Sequence, residues 1–496
     1  MADIAHVFVL VMENRSFDHL FGLSGIDGVK APDDSWGFSD GAADRLTDDP
    51  PHEFDDVQKQ LSGTPPMSGF RIGTSADIAM RGFRPPALPV VSQLAQHFVL
   101  FDNWFSSMPG PTWPNRFFVH AASSGGLDNS PSAITSIESD TIDSLGFSFD
   151  NGTIFEHLTA QGKKWRVYHA DAFPQVLAIK GLVGGFFHHD TFRSIEPGAA
   201  NDDFKRDLAS EYNIDYTFIE PDYGLLSGNF ATGNSQHPVG SIAAGELFIK
   251  YVYETIRNSP IWQSSILLVT WDEHGGFFDH KLPPTAKPPG DRDTNSQRAQ
   301  YPRQFPFNKL GVRVPALLIS PWVPGGQLGS QLFPPPGSSD GVAFDHASIV
   351  RSVRETFGII APLTQRDATS PSWTGALLNQ RRANGSDGPL TLDAPSAPTA
   401  ASARTSTTSV TANHIGGFAI IAHALDLQMA KDNSSPAAIH DTNLFAHRLR
   451  PAVGASPTNN AAASGAGSPA ANTVSPRALA DYVTYIARQT KGHKRR

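Results

Sequence analysis

The sequence predicts an α/β fold in which a mostly parallel sheet is covered by helices on both faces. Several apolar runs are short, rich in Val, Ile, Leu and Phe, and do not alternate with polar residues. They include Val7 to Met12, Phe98 to Phe101, Ile266 to Trp271 and Ala316 to Ile319. Such runs are typical of strands buried on both faces. Segments with helical spacing lie between them, and strands that alternate with helices indicate an α/β architecture.

Two segments have the spacing of amphipathic helices. Pro238 to Arg257 and His346 to Phe357 both place apolar residues three or four positions apart. Asp345 precedes the second segment, and aspartate is a favoured N-cap residue. Residues 22–87 and 281–306 are long, contain many Gly, Pro and polar residues, and lack periodicity. Long segments of this kind often surround a functional site, so we expect both to border one.

Composition and charge exclude several classes of protein. The chain of 496 residues has a formal net charge of −9 and its only short basic cluster at the tail, so no nucleic-acid partner is expected. It has no cysteine, which excludes disulfides, thiolate metal sites and a cysteine nucleophile. No apolar run reaches the ~18 residues of a transmembrane segment. Ile4 to Met12 lacks the basic flank of a signal peptide and is predicted to be a strand.

Acidic residues follow two of the predicted strands. Glu13-Asn14 comes directly after the first apolar run, and Asp272-Glu273 directly after the third. In open α/β sheets, ligands bind beyond the carboxyl ends of the strands. Adjacent carboxylates are costly there without a compensating cation, and carboxylate and amide oxygens suit one divalent ion. A solvated turn would also explain Asp272-Glu273, and a helix cap would also explain Glu13-Asn14.

Thr112 is a candidate nucleophile. It lies between Pro111 and Trp113-Pro114, and the prolines are expected to hold the backbone extended and so to fix the hydroxyl group. A hydroxyl beside a divalent ion loses its proton more easily and becomes a nucleophile. An ordinary turn residue is the alternative interpretation of Thr112.

Histidines are concentrated in the predicted loops. As a group they are suited to hold a tetrahedral anion and to protonate a leaving oxygen, whereas each one singly also fits a structural or surface role. These histidines are His188, His189, His237, His274, His280 and His346.

Six stretches in fixed order carry a family resemblance across about residues 6 to 358. They are Glu13 to His19 with Phe21-Gly22; Pro111 to Arg116; Phe218 to Pro221 with His237-Pro238; Asp272 to His280; Gly311 to Pro315 with Ser320 to Trp322; and Asp345 to Ser348. With them the chain resembles the phosphoesterase family of bacterial phospholipases C, acid phosphatases and plant non-specific phospholipases C. The resemblance implies the three-layer α/β/α sandwich of the alkaline phosphatase-like superfamily.

The resemblance also implies a role for individual residues around one divalent metal ion. The superfamily suggests Zn²⁺, while oxygen ligands also admit Ca²⁺, Mg²⁺ or Mn²⁺. The implied residues are Glu13, Asn14, Asp272 and Glu273 as metal ligands; Thr112 as the nucleophile; Asn115 and His346 for substrate binding; and His188, His189 and His280 as catalytic histidines near the phosphate.

The composition changes near residue 385. Residues 391–411 and 452–476 are rich in Ala, Ser, Thr and Pro, which is typical of flexible linkers. We therefore assign residues 1–385 to a phosphoesterase catalytic domain and residues 386–496 to a linker-rich extension, whose removal is expected to spare activity. The helices predicted within the extension are Gly417 to Lys431 and Arg477 to Gln489.

The function implied by the resemblance is a metal-dependent phospholipase C that acts on phospholipids such as phosphatidylcholine through a phospho-threonine intermediate. A phosphomonoesterase of the acid phosphatase type is the alternative. A non-catalytic lipid-binding protein is less favoured, because the nucleophile and the metal ligands are all present. Because phospholipid substrates lie in a bilayer, the implied function also implies peripheral contact of the protein with a membrane. Many relatives are exported, so the resemblance implies a secreted or periplasmic protein. No signal peptide is visible here, which leaves the cytoplasm open.

Overall fold

A computed structural model describes residues 2–73, 75–132, 146–187, 190–226, 230–335, 341–396, 412–432 and 476–493. The strands in these ranges are β1 His6–Met12, β2 Ser39–Asp40, β3 Arg81–Gly82, β4 Val99–Phe101, β5 Trp165–His169, β6 Phe192–Ser194, β7 Tyr216–Glu220, β8 Ser265–Trp271, β9 Ala316–Ile319 and β10 Gln327–Leu328.

The α-helices of the described ranges are α1 Phe17–Phe21, α2 Phe54–Leu61, α3 Ala76–Ala79, α4 Pro89–His97, α5 Thr112–Ala121, α6 Ile154–Ala160, α7 Val183–Phe186, α8 Asp203–Leu208, α9 Ile242–Arg257, α10 Gly329–Leu332, α11 Ala347–Thr356, α12 Gln365–Thr369, α13 Ala412–Asp432 and α14 Pro476–His493. Short 3-10 helices span Asp34–Trp36, Ser68–Arg71, Pro85–Ala87, Gln175–Ala178, Trp262–Ser264, Ser296–Arg298 and Trp373–Ala376.

One large sheet organises the molecule. Eight strands are paired in the order β10-β4-β9-β8-β1-β7-β5-β6. Neighbours in this sheet are parallel except around β9, which runs antiparallel to β4 and to β8. Every residue of β1 and β8 is buried, so both faces of the sheet centre are covered. The predicted α/β fold with a mostly parallel sheet is confirmed.

The helices pack in two groups. On one side α9 contacts α4, α8 and β8. On the other side α5 contacts α6, α11 and α13, and α6 contacts β5. Helix α9 begins at Ile242 rather than at Pro238, because the Ser241 hydroxyl caps it by accepting a hydrogen bond from the Ala244 amide. The result is the expected three layers, with the sheet between two layers of helices.

Two local predictions were wrong. Thr112 is not extended but is the first residue of α5, for which the extended Pro111 is the N-cap. A proline two residues later is compatible with this helix, because the first amides of a helix have no partner to lose. The N-cap of α11 is His346 and not Asp345. The Asp345 carboxylate instead accepts hydrogen bonds from Ser107 Oγ (2.9 Å) and Arg366 Nη1 (3.0 Å).

The packed body continues past residue 385. Tyr253 on α9 donates a hydrogen bond to the carbonyl of Pro389 (2.6 Å), and Lys250 donates to the carbonyl of Leu392 (2.7 Å). Helices α13 and α14 form where short helices were predicted, and their buried side chains belong to the main apolar core. Residues 397–411 and 433–475, which include most of the predicted linkers, lie outside the described residues. Among the described residues, no helix has the length and hydropathy needed to cross a membrane.

Glu246 on α9 makes the stability of this fold depend on pH. Its buried carboxylate accepts hydrogen bonds from the amides of Val90 (2.7 Å) and Val91 (3.3 Å) at the start of α4. Burial outweighs these bonds and raises the pKa of Glu246 from 4.5 to about 8. Between these values the folded state binds more protons than the unfolded chain, so the free energy of unfolding falls as the pH rises.

We expect Glu246→Gln to remove this contribution, because the amide oxygen keeps a hydrogen-bond acceptor without a charge. Urea unfolding between pH 5 and pH 8 should give a shallower pH dependence for the variant, by up to about 1.4 kcal/mol per pH unit. Identical slopes for the two proteins would contradict the raised pKa.

Candidate active site

Chain-distant acids meet at the carboxyl ends of β1 and β8. The strands are paired so that Met12 lies opposite Trp271, and Glu13 and Asp272 therefore leave neighbouring strands together. The Asn14 amide donates a hydrogen bond to Asp272 Oδ1 (3.0 Å), which fixes the two strand ends to each other. Glu13, Asn14, Asp272 and Glu273 are each fully buried. The four residues implied as metal ligands thus share one buried site.

The turn after β8 fits closely against the turn after β1. Asn14 has a left-handed backbone (φ 56°), which an asparagine tolerates better than most residues. Gly275 also has positive φ (63°), and a Cβ at this position would overlap the Asn14 carbonyl. Glycine is required here for the approach of two backbones. The Gly275 amide in turn donates a hydrogen bond to Glu273 Oε2 (2.8 Å) and orients that carboxylate.

Arg116 on α5 balances part of the negative charge. Its Nε donates a hydrogen bond to Asp272 Oδ2 (3.0 Å), and its Nη2 lies 3.9 Å from Glu13 Oε1. Its guanidinium carbon lies 5.4 Å from the centre of the Tyr223 ring. Burial raises the pKa of Asp272 to about 7; Arg116 opposes this shift, and the carboxylates of Glu273 and Glu13 add to it. The site therefore carries more negative charge than one arginine neutralises.

Thr112 is the first residue of α5, the helix that also carries Arg116. It precedes Arg116 by one helical turn, so both residues lie on the same face of the helix. The Thr112 hydroxyl is buried and makes no hydrogen bond with the described part of the chain. Most buried hydroxyl groups have a hydrogen-bond partner, so Thr112 is a candidate for contact with a ligand.

Asn115 holds the loop before Thr112. Its Oδ1 accepts a hydrogen bond from the Met108 amide (3.0 Å), and its Nδ2 donates to the carbonyls of Gly110 (3.0 Å) and Pro111 (3.1 Å). Asn115 therefore shapes the approach to Thr112. Its implied contact with phosphate stays a prediction.

Three site residues were missed or left unassigned by the sequence reasoning. Asp49 and His52 lie in the long segment 22–87, and His237 was noted only as one of several loop histidines. His52 Nε2 lies 3.2 Å from Asn14 Nδ2 and 3.8 Å from Glu273 Oε1. Asp49 lies 3.6 Å from His237 Nε2. The sequence showed only that the segment 22–87 is rich in polar residues, which does not identify the individual residues of the site.

Electrostatics link His52 to the acids. Burial lowers the pKa of His52, but the carboxylates of Glu273 and Asp49 raise it more, to about 10. The same proximity of His52 and of His274 holds the pKa of Glu273 low even though burial opposes this. A proton on His52 compensates negative charge that a bound cation would also compensate.

The donor set fits a divalent cation. Asn14 Oδ1 and Glu273 Oε1 are buried oxygens without a hydrogen-bond partner in the described ranges. They lie with two further buried carboxylates, those of Glu13 and Asp272. Hard oxygen ligands around excess negative charge are what Ca²⁺, Mg²⁺ or Mn²⁺ require, and Zn²⁺ also accepts carboxylates. The family and its chemistry imply a divalent metal, and these residues are candidate ligands. In the described ranges, the three acidic or histidine residues whose ligand atoms all lie within 4.8 Å of one another are Asp18, Asp279 and His280, and the atoms of Glu13, Asp272 and Glu273 are not so closely spaced.

His280 belongs to a second polar cluster. Its Nδ1 lies 2.7 Å from Asp18 Oδ2, and ligand atoms of Asp18, Asp279 and His280 all lie within 4.8 Å of one another. Arg313 pairs with both carboxylates, at 2.9 Å from Asp18 and 3.1 Å from Asp279, and supplies the positive charge that this cluster needs. The contacts found for His280 are with these residues and not with Thr112. His188 and His189 lie outside the described residues.

His346 supports the end of β8. Its Nε2 donates a hydrogen bond to the Asp272 carbonyl (2.6 Å), and its Nδ1 accepts one from Trp104 Nε1 (3.3 Å). Burial lowers the pKa of His346 to about 4, so the ring is neutral, as this pair of bonds requires. Both nitrogens serve the fold, and the implied contact of His346 with substrate stays a prediction.

Comparisons with known proteins place this site in a family. The profile of the Phosphoesterase family matches residues 4–360. Non-specific phospholipase C6 of Arabidopsis thaliana is 33% identical over 422 residues, which cover 78% of this chain and 75% of that protein. Non-hemolytic phospholipase C of Pseudomonas aeruginosa is 27% identical over 410 residues, which cover 73% of this chain and 55% of that protein.

Solved structures with a similar fold belong to the same comparison. A protein in the alkaline phosphatase superfamily from Vibrio parahaemolyticus aligns over 75% of this chain and 71% of its own, with 13% identity and a TM-score of 0.36.

The family assignment rests on the sequence match, which covers most of the chain and agrees with the six stretches that carry the resemblance. The aligned region contains the strand ends, the nucleophile candidate and the acids of the buried site. The chain therefore belongs to the phosphoesterase family and is a phosphoester hydrolase.

Proposed function

We propose that the chain is a metal-dependent phospholipase C that cleaves the bond between glycerol and phosphate in phospholipids such as phosphatidylcholine. The observation that carries this proposal is a buried threonine hydroxyl one helical turn from Arg116, which pairs with the acids of a metal site. The names of the plant and bacterial relatives, all phospholipases C, support the choice of substrate class.

The residues that would hold the metal are Glu13, Asn14, Asp272 and Glu273. When bound there, a divalent ion would favour loss of the Thr112 proton and would neutralise charge on the phosphate oxygens. Arg116 keeps Asp272 in place by their hydrogen bond. Because Thr112 and these acids are rigidly held, the nucleophile is positioned before the substrate arrives.

The proposed reaction has two steps. Thr112 Oγ1 forms a bond to phosphorus while the bond from phosphorus to the glycerol oxygen breaks, and the threonine proton passes to a carboxylate of the site. The leaving alkoxide takes a proton from a histidine, for which position favours His52 or His237. Water then attacks phosphorus while the bond from Thr112 Oγ1 to phosphorus breaks and the phosphorylated headgroup is released. The histidine takes a proton from the water, and the carboxylate returns its proton to Thr112 Oγ1, which restores the site.

A comparison of two substrates tests the proposal. With phosphatidylcholine vesicles we expect release of diacylglycerol and phosphocholine, and with p-nitrophenyl phosphate a kcat/KM at least about tenfold lower, since a lipid diester is the expected substrate. The Thr112→Ala variant provides the background for both assays. Rapid monoester turnover without diacylglycerol would favour the acid phosphatase alternative. Failure with both substrates after Zn²⁺, Ca²⁺, Mg²⁺ or Mn²⁺ is added would contradict both enzymatic assignments.

A further inference from the structure

Helix α13 from the C-terminal extension inserts a phenylalanine behind the active site. Phe418 is fully buried, and its ring centre lies 5.3 Å from that of Trp113, 5.4 Å from that of Tyr223 and 5.8 Å from that of Phe230. Phe173 completes the group at 6.4 Å. These five residues form the Phe418 cluster. It joins the extension to three separate segments of the catalytic domain.

Three members of the Phe418 cluster adjoin residues of the site. Trp113 directly follows Thr112 in the first turn of α5. The Tyr223 ring packs against the Arg116 guanidinium. The Phe230 ring centre lies 5.2 Å from the His237 ring centre.

The hydroxyl of Tyr223 extends this link toward the strand ends. It donates a hydrogen bond to Glu220 Oε2 (2.9 Å), and the Glu220 carboxylate accepts one from the Gln175 amide (2.6 Å). Gln175 Nε2 in turn donates to Glu13 Oε1 (3.2 Å). The cluster is therefore connected to a proposed metal ligand as well as to the nucleophile.

Gly417 permits the close contact of α13 with α5. A Cβ at this position would overlap three atoms of the Trp113 indole. Trp113 is almost fully buried, so the ring cannot move away without displacing its neighbours. Helix α14 packs against α13, and Tyr482 on α14 donates a hydrogen bond to Asp426 on α13 (3.4 Å). Helix α14 also contacts the catalytic domain directly, because Thr484 donates to the Leu225 carbonyl (3.1 Å).

We propose that α13 is a positioning element of the active site: Gly417 and Phe418 hold Trp113 and thereby fix the first turn of α5, which carries Thr112. The inference rests on the proposed role of Thr112 as the nucleophile. In-line attack tolerates little displacement, and an error of about 1 Å in a reacting group costs on the order of 100-fold in rate. On this proposal α13 acts on catalysis through Trp113, so removal of residues 386–496 would lower activity, contrary to the expectation from their composition.

Substitutions in the full-length protein test this role. Gly417→Ala should push α13 away from Trp113, and Phe418→Ala should leave Trp113 without its neighbour. We expect each to lower kcat on phosphatidylcholine by roughly 10- to 100-fold, while KM and metal content change less than about threefold. Phe418→Tyr, which keeps the aromatic ring, should retain most of the activity.

Leu425→Ala is the matched control, because Leu425 is buried on the same helix two turns further on. Its truncation should lower the melting temperature by about as much as Phe418→Ala without lowering kcat. Thr112→Ala separates this inference from the proposed function: an active Thr112→Ala protein contradicts the nucleophile itself. If Thr112→Ala is inactive while Gly417→Ala and Phe418→Ala keep at least half of the wild-type kcat, α13 does not position the nucleophile. If Gly417→Ala fails to fold, the comparison of Phe418→Ala with Phe418→Tyr decides the question.

Discussion

Replacing Thr112 with alanine is expected to reduce kcat on the order of 10⁴-fold or more, with the protein still folded and still able to bind metal. The side chain supplies the proposed attacking oxygen, and loss of a nucleophile has effects of this size. Because the hydroxyl makes no hydrogen bond in the described part of the chain, its removal leaves no buried group without a partner. The melting temperature should therefore stay within about 2 °C of wild type, since a neutral change shifts it little.

Thr112→Ser is the control for this experiment. It keeps a hydroxyl at the first position of α5, so activity should return to within about tenfold of wild type. Acid quenching during turnover should trap a phosphorylated protein with threonine or serine at this position and not with alanine. A folded Thr112→Ala protein with more than a few per cent of wild-type kcat would exclude Thr112 as the nucleophile.

Glu273→Gln is expected to have the second largest effect, on stability and on metal binding. Without metal, the ionised Glu273 carboxylate lies 3.8 Å from His52 and 3.1 Å from His274, and their proximity holds its pKa low. Removing this charge should therefore lower the melting temperature at neutral pH. With metal, the variant should lose most of the stabilisation by the ion, because affinity should fall at least about 100-fold. We expect kcat to fall roughly 10³-fold, since metal assistance is worth several kcal/mol.

Calorimetric melting at several metal concentrations measures both effects. Glu246→Gln is the matched control, because it makes the same replacement of a fully buried Glu by Gln but lies between α9 and α4, away from the strand ends. Its metal-dependent shift in melting temperature should equal that of wild type. An undiminished metal shift in Glu273→Gln would exclude this carboxylate as a ligand.

The central sheet and the acids at its edge could be predicted because buried strands are continuous apolar runs. Once β1 and β8 are recognised, the residues that follow them must reach the same edge of a parallel sheet, which unites Glu13 with Asp272. The first turn of α5 was harder, since two prolines around Thr112 suggest an extended chain as readily as a helix start.

Other parts of the site leave no periodic signal. Asp49 and His52 come from an excursion without repeating pattern, and only tertiary contacts bring them to Glu273. The contact of Phe418 with Trp113 joins positions far apart in the chain. The composition of residues 386–496 indicated a flexible extension, because the Ala-, Ser-, Thr- and Pro-rich segments on either side of α13 make up most of it.

The central position of β1 also bears on synthesis at the ribosome. This strand emerges before its two partners, which begin at Tyr216 and Ser265. Translation at roughly 5–20 residues per second leaves the nascent strand unpaired for about 10 to 40 seconds. During that interval seven consecutive residues destined for the interior remain exposed. An unpaired apolar strand is prone to aggregation, so this interval is the one in which the nascent chain is most exposed to it.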